Sequence, residues 1–251
     1  MALLDSIKLR RSIRKYKCEP VTDDLLNKLL EAASRTQTMG NLQLYSVVVT
    51  RDSEMKRKLS PAHFGQPMVT EASVVLTICA DFNRTSVWCK NRKAVPGYNN
   101  FLSFINAASD ALLYTQTFCN LAEEAGLGIC YLGTTVYQPQ TIIDVLHLPR
   151  LVMPMATLTV GWPDEEPDLT DRLPLASFIH QETYNDYTPT DIDSYYMPKE
   201  MMAENQHFVE INHKETLAQV FAEIRYNKQD NEIMSQTLLD VLRQQGFLQN
   251  V

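Results

Sequence analysis

Arg10-Arg11-Ser12-Ile13-Arg14 is the densest group of residues in this chain that could do chemistry. Six of the ten residues from Lys8 to Lys17 are basic, although the formal net charge of the chain is −7. Arginine presents a planar fork of donors that matches phosphate, and Ser12 adds a hydroxyl. The run is therefore a candidate site for an anion, phosphate first. A solvated basic helix end has the same composition, and the run alone leaves that alternative open.

Other chemistries find little support. The five cysteines (Cys18, Cys79, Cys89, Cys119, Cys130) are odd in number and form no CxxC pair. Neither a disulfide framework nor a zinc knuckle is expected. Cys79 and Cys119 sit in apolar runs and read as small core residues. The histidines at 63, 147, 180, 207 and 213 lack metal-ligand spacing, and no HExxH or GxSxG is present. Only 8 glycines occur, with no GxGxxG and no GxxxxGK[ST]. Any nucleotide phosphate must then be held by side chains, not by a glycine-rich turn.

The elements that must position these residues follow from periodicity and caps. With 45% hydrophobic and 21% charged residues, the 251-residue chain has ordinary globular composition and can bury a sizeable core. Its acidic balance argues against general nucleic-acid binding. No N-terminal apolar signal core and no apolar run near 18 residues occurs, so a cytoplasmic protein without membrane partners is expected. Residues 2–10 read as a short helix. Thr22 caps a second, whose first turn carries Asp23 and Asp24. Tyr45 to Thr50 is strand-like, Ser53 to Leu59 a short helix, and Ser73 to Ala80 a buried strand. Asn100 to Ala125 reads as a central helix stopped by Gly126. Gly128 to Gly133 is a strand, 139–147 a helix, and Met155 to Gly161 the last clear strand. Residues 163–200 are rich in Pro, Asp and Tyr and read as an extended arm. Helical texture returns at 214–246. Interleaved helices and about four strands suggest one α/β-type domain with an added C-terminal segment.

Four local patterns, in this order, resemble the FMN-dependent nitroreductase family. They are Arg10-Arg11-Ser12-Ile13-Arg14-Lys15-Tyr16 followed by Pro20; Thr36-Gln37-Thr38-Met39-Gly40-Asn41-Leu42-Gln43; Gly126-Leu127-Gly128 leading to Tyr131-Leu132-Gly133; and Gly161-Trp162-Pro163 followed by Asp171-Arg172-Leu173-Pro174. Gly65-Gln66 and Tyr195-Tyr196 are similar to its larger oxygen-insensitive nitroreductases and flavin reductases. The resemblance implies an α+β three-layer sandwich, with a mostly antiparallel central sheet flanked by helices and a C-terminal arm wrapped on a partner subunit. Residues 1–162 would form the FMN-binding core, and residues 163–251 the arm and C-terminal helices of the same domain. Two FMN molecules would sit in a homodimer interface.

By the same resemblance, Arg10, Arg11 and Ser12 would hold the phosphate and ribityl side of FMN, with Arg172 closing on the phosphate. Arg14 would reach the N1/O2 edge of the ring, where fixed positive charge stabilises the anionic reduced flavin. Gln66 would hydrogen-bond the ring. The backbone N–H groups of Gly133 and Thr134, following Leu132, would face N5 and O4. Thr38, Met39 and Asn41 would come from the other subunit. No side-chain acid or base is required: NADPH or NADH would reduce the flavin and leave, and nitroaromatics, quinones or flavins would then be reduced in ping-pong order. One departure is Thr170, where relatives carry lysine. Another is Lys199, which stands where relatives read the 2′-phosphate of NADPH with arginine. With Glu200 and Glu204 nearby, only a modest preference for NADPH is expected. The alternatives are a non-catalytic flavin-binding protein, or an anion- or nucleic-acid-binding module that uses the basic cluster.

Overall fold

Four strands form one sheet in the order β1-β2-β4-β3: β1 (Tyr45–Thr50), β2 (Val74–Asp81), β3 (Gly128–Leu132) and β4 (Val152–Gly161). All three pairings are antiparallel. The fold is thus α+β, and the α/β-type reading of the interleaved helices is corrected. Periodicity reports which residues are apolar, not which way the neighbouring strand runs. The computed structural model describes residues 3–249. It divides into two compact units. One runs to Asp168 and resumes at Met234; the other is Leu169–Ile233.

Helices cover both faces of the sheet in the first unit. The elements before β2 are α1 (Leu3–Leu9), α2 (Asp23–Ala33), α3 (Ser53–Leu59) and α4 (Met68–Glu71). After it come α5 (Asn83–Asn91), α6 (Phe101–Glu124) and α7 (Pro139–Leu146). The Thr22 side chain accepts from Leu25 N–H at the start of α2, as an N-cap does. Asn100 caps α6 in the same way through Ser103 N–H at 3.0 Å, and Gly126, at φ +85°, turns the chain out of it. Val74, Leu76 and Ile78 pack with Leu26 and Leu29 of α2 and with Tyr114 and Phe118 of α6. Val75 packs on the opposite side with Leu59, Val69, Cys130, Leu132 and Ile142. All eight residues of β2 are therefore buried, which explains its unbroken apolar run.

β4 begins three residues earlier than its apolar pattern suggests. Pro154 lies opposite Cys79, where the register with β2 shifts. A bulge tolerates a proline that a regular ladder position would not. The chain's end also returns to this core: Val241, Leu242, Phe247 and Leu248 pack with Leu44, Phe104 and Met153.

The second unit holds α8 (Pro189–Glu200), α9 (Ala203–Ile211), α10 (Leu217–Gln219), a π-helical turn (Val220–Arg225) and the first residues of α11 (Lys228–Gln244). The expected extended arm over 163–200 is helical from Pro189. A reciprocal cap starts that helix: Asp191 N–H donates to the Thr188 hydroxyl at 3.3 Å, and Thr188 N–H donates to the Asp191 carboxylate at 2.9 Å. None of its residues is buried, so it has no apolar stripe to announce it.

Candidate functional site

The arginine run lies as an extra ribbon along β3. Ile13 N–H donates to the Ile129 carbonyl at 2.9 Å, and Ser12 pairs in parallel with Ile129. Farther on, Lys17 N–H donates to Trp162 at 2.9 Å. Gly128 permits this closeness, because a Cβ there would lie 2.7 Å from Ile13 Cγ2. The Tyr16 hydroxyl secures the ribbon by donating to the Ile13 carbonyl at 2.6 Å, and it also meets Thr159 Oγ1 at 2.7 Å.

Each arginine of the pair faces a carboxylate that the sequence reading did not single out. Arg10 Nε lies 3.4 Å from Glu123 on α6, and Arg11 Nη2 lies 3.6 Å from Glu166. Glu165 accepts the backbone N–H groups of Arg14 and Lys15. Arg10, Arg11 and these three glutamates line a cavity of about 500 Å³. Burial pushes the Glu123 carboxyl up, and Arg10 partly offsets this. The Arg14 guanidinium reaches Cys130 of β3. Burial raises that thiol's pKa, while Arg14 pulls it down.

The end of β3 leads into a 3-10 turn, Gly133–Val136. Leu132 is buried, whereas Gly133 is exposed and a Cβ on it would meet nothing within 4 Å. Thr135 anchors the turn inward through the Leu132 carbonyl at 2.8 Å and Thr157 Oγ1 at 3.0 Å. Thr134 Oγ1 meets His63 Nδ1 at 2.8 Å. His63 ends the turn Ser60–His63, and its carbonyl accepts Gln66 N–H at 3.1 Å. The imidazole is fully buried, and burial pushes its pKa down to about 4. The arginine ribbon, Gly133, Thr134 and Gln66 are thus assembled around β3 in one chain.

Thr38, Met39 and Asn41 are not part of that assembly. They belong to a short turn before β1, at the opposite edge of the sheet. Three inter-strand steps put them roughly 14 Å away laterally. Asp110 of α6, only 1% exposed, holds this turn by accepting Met39 N–H at 2.8 Å and Leu44 N–H at 3.0 Å. Gly40 and Asn41 both adopt positive φ there.

Arg172 and Lys199 meet in the second unit. Arg172 donates to Thr170 Oγ1 at 2.8 Å and to the Asp171 carbonyl at 2.7 Å. Lys199 Nζ lies 2.9 and 3.1 Å from the two oxygens of the Asp171 carboxylate. Both cations border a cavity of about 460 Å³, together with Tyr195 and Met202. Thr170 therefore orients the arginine, and Asp171 answers the Lys199 charge. Among the described residues no cluster fit to hold a metal ion is found, and no helix is long and apolar enough to cross a membrane.

A helix-covered antiparallel sheet thus carries the arginine ribbon and the open glycine turn along its β3 edge. The Nitroreductase family matches residues 7–162, and the chain belongs to it. An FMN reductase [NAD(P)H] of Bacillus subtilis is 34% identical over 184 residues, covering 72% of this chain and 74% of the relative. An oxygen-insensitive NADPH nitroreductase of Salmonella typhimurium is 33% identical over 181 residues, 72% of each chain. A crystal structure from Bacteroides fragilis superposes with a TM-score of 0.96 at 62% identity, over 97% of this chain and 99% of that one.

Proposed function

We propose that this protein is an FMN-dependent NAD(P)H oxidoreductase that works as a homodimer. The observation that carries the reading is the convergence of the arginine ribbon, Gln66 and the open Gly133–Thr134 turn around β3. The donor set fits FMN: two arginines and Ser12 suit its phosphate end, and the space before Gly133 admits a flat ring to the backbone. The similarity to an FMN reductase and to a nitroreductase supports the same choice.

Bound FMN would supply the redox chemistry between a reduced nicotinamide donor and an electron acceptor. The chain's own residues bind and tune it. Arg10, Arg11 and Ser12 would hold the phosphate and ribityl side. Arg14 keeps a fixed positive charge near the N1/O2 edge, where it favours the reduced ring. Gln66 and the backbone N–H groups of Gly133 and Thr134 donate to the ring, behind buried Leu132. Thr38, Met39 and Asn41 of one chain serve the other chain's flavin, since no single sheet brings both edges together. The surface of α6 supports such pairing, with Leu102 68% exposed and Phe101, Ile105, Leu112 and Leu113 also uncovered. Nitroaromatics, quinones or flavins are the acceptors, reduced in ping-pong order. Lys199 favours NADPH over NADH only modestly, because Asp171 already answers its charge.

Titration with FMN, followed by anaerobic NADPH or NADH, tests this. The expected result is a yellow complex that bleaches with either donor. Light scattering should give about twice the 28.7 kDa of one chain. Failure to bind FMN refutes the cofactor assignment, and binding without bleaching refutes the activity.

A further inference from the structure

Gln66 and the Gly133–Thr134 turn stand on separate segments, 67 or more residues apart in sequence. His63 ties them together. Its carbonyl accepts Gln66 N–H at 3.1 Å, and its Nδ1 lies 2.8 Å from Thr134 Oγ1. The ring is completely buried, and its Nε2 finds no hydrogen-bond partner among the described residues. Burial keeps the imidazole neutral near pH 7. A neutral imidazole donates from one nitrogen and accepts at the other. An orphaned buried N–H is rarer than an under-used acceptor, so the favoured tautomer carries its proton on Nδ1 and donates to Thr134.

A leucine would fill this space without burying an orphaned nitrogen. What hydrocarbon cannot do is grip Thr134. The segment that His63 anchors carries a strained residue: Phe64 adopts φ +54°. A bulky aromatic in the left-handed region is uncommon and persists only where its surroundings hold it. The bond to Thr134 is one such restraint, and it joins the strained turn to the turn after β3.

We propose that His63 is a positioning residue, locking the Gly133–Thr134 turn to the Gln66 segment so that their ring-facing donors are in register before FMN binds. This rests on the FMN reading above. It adds a role for a residue that does not itself face the cofactor.

Three single variants and one double test it. His63→Leu removes the bond and keeps much of the volume. Thr134→Val removes it from the other side. His63→Asn places an amide near the position of Nδ1 and should restore it. FMN affinity, read by fluorescence quenching, should fall about tenfold in His63→Leu and in Thr134→Val, the scale of one lost hydrogen bond. The double variant should be no weaker than either single one, and His63→Asn should stay close to wild type. The midpoint potential of bound FMN should move negative in the two disruptive variants, because donors at the ring edge favour the reduced form. Unchanged affinity and potential in Thr134→Val would overturn the proposal even if His63→Leu does not fold, as would fully additive losses in the double variant. Wild-type protein that binds no FMN would instead refute the cofactor reading, and this inference with it.

Discussion

Asp110 offers a direct test of how the fold presents residues 38–41. It is a buried carboxylate in the middle of α6, and both its oxygens accept backbone N–H groups of the segment entering β1. Hydrogen bonds to a charged group contribute about 1.5–3 kcal/mol each. The two amides do not fare equally when the carboxylate is removed. Met39 is 49% exposed, so its amide can turn to water, while Leu44 is fully buried and its amide cannot. Asp110→Ala should therefore cost about 3 kcal/mol, mostly through the stranded Leu44 N–H. Asp110→Asn should recover most of this, since its oxygen can accept the Leu44 N–H while its NH2 faces the Met39 amide, which can turn to water. Urea unfolding at one fixed protein concentration measures both, with an unchanged slope expected. FMN affinity should fall in parallel, because the segment holding Asn41 loses its anchor. An Asp110→Ala variant within about 0.5 kcal/mol of wild type, the range of ordinary surface changes, would refute this account of the turn.

Two further outcomes follow from burial and close contact. His63 is neutral in the fold down to about pH 4 but takes a proton near pH 6.5 when unfolded, so the unfolded chain binds more protons between those values. Its contribution is thus complete above pH 6.5 and declines by up to about 3 kcal/mol as pH falls to 4; unfolding of wild type and His63→Asn across that window should show the variant's curve to be flatter, and equal slopes would contradict the burial argument. Gly128→Ala would drive a Cβ to 2.7 Å from Ile13 Cγ2, costing about 1–3 kcal/mol by overpacking and lifting the arginine ribbon from β3; a variant that is as stable as wild type and binds FMN equally well would show that the ribbon adjusts freely.

Where a signal is local, the sequence announces the structure. Thr22 and Asn100 cap helices within three residues of their partners, and Gly126 marks the end of α6 by its own conformation. The arginine run and Gly133 are legible for a similar reason, since residue type and short spacing define them. What escapes is what depends on distant partners or carries no stripe. The helix Pro189–Glu200 buries nothing, and its only local sign is the cap formed by Thr188 and Asp191. Pro154 resembles a strand breaker until the bulge opposite Cys79 is seen. Asp110 lies 71 residues from Met39, and His63 lies 71 residues from Thr134. No periodicity encodes either pairing.

The carboxylates around the arginine ribbon decide how its charges can be used. Two adjacent arginines without counter-charges repel each other and wander, so some acidic company is needed to keep them in place before an anion arrives. The two pairs are unequal. The Glu166 side chain is 84% exposed, and a pair so open to water contributes about 0–1 kcal/mol. An incoming phosphate can displace it at little cost and take the fork of Arg11. The Glu123 side chain is only 10% exposed. Taking Arg10 away would leave a carboxylate in a partly closed cavity with no partner, which costs far more than losing an exposed one. Arg11 is therefore the arginine an anion would claim most readily, and Arg10 the one that would share its fork between the anion and Glu123. The negative net charge of the chain does not oppose this. Beyond about 8 Å salt screens exposed charges, and the balance at the site is set by the few groups that line it.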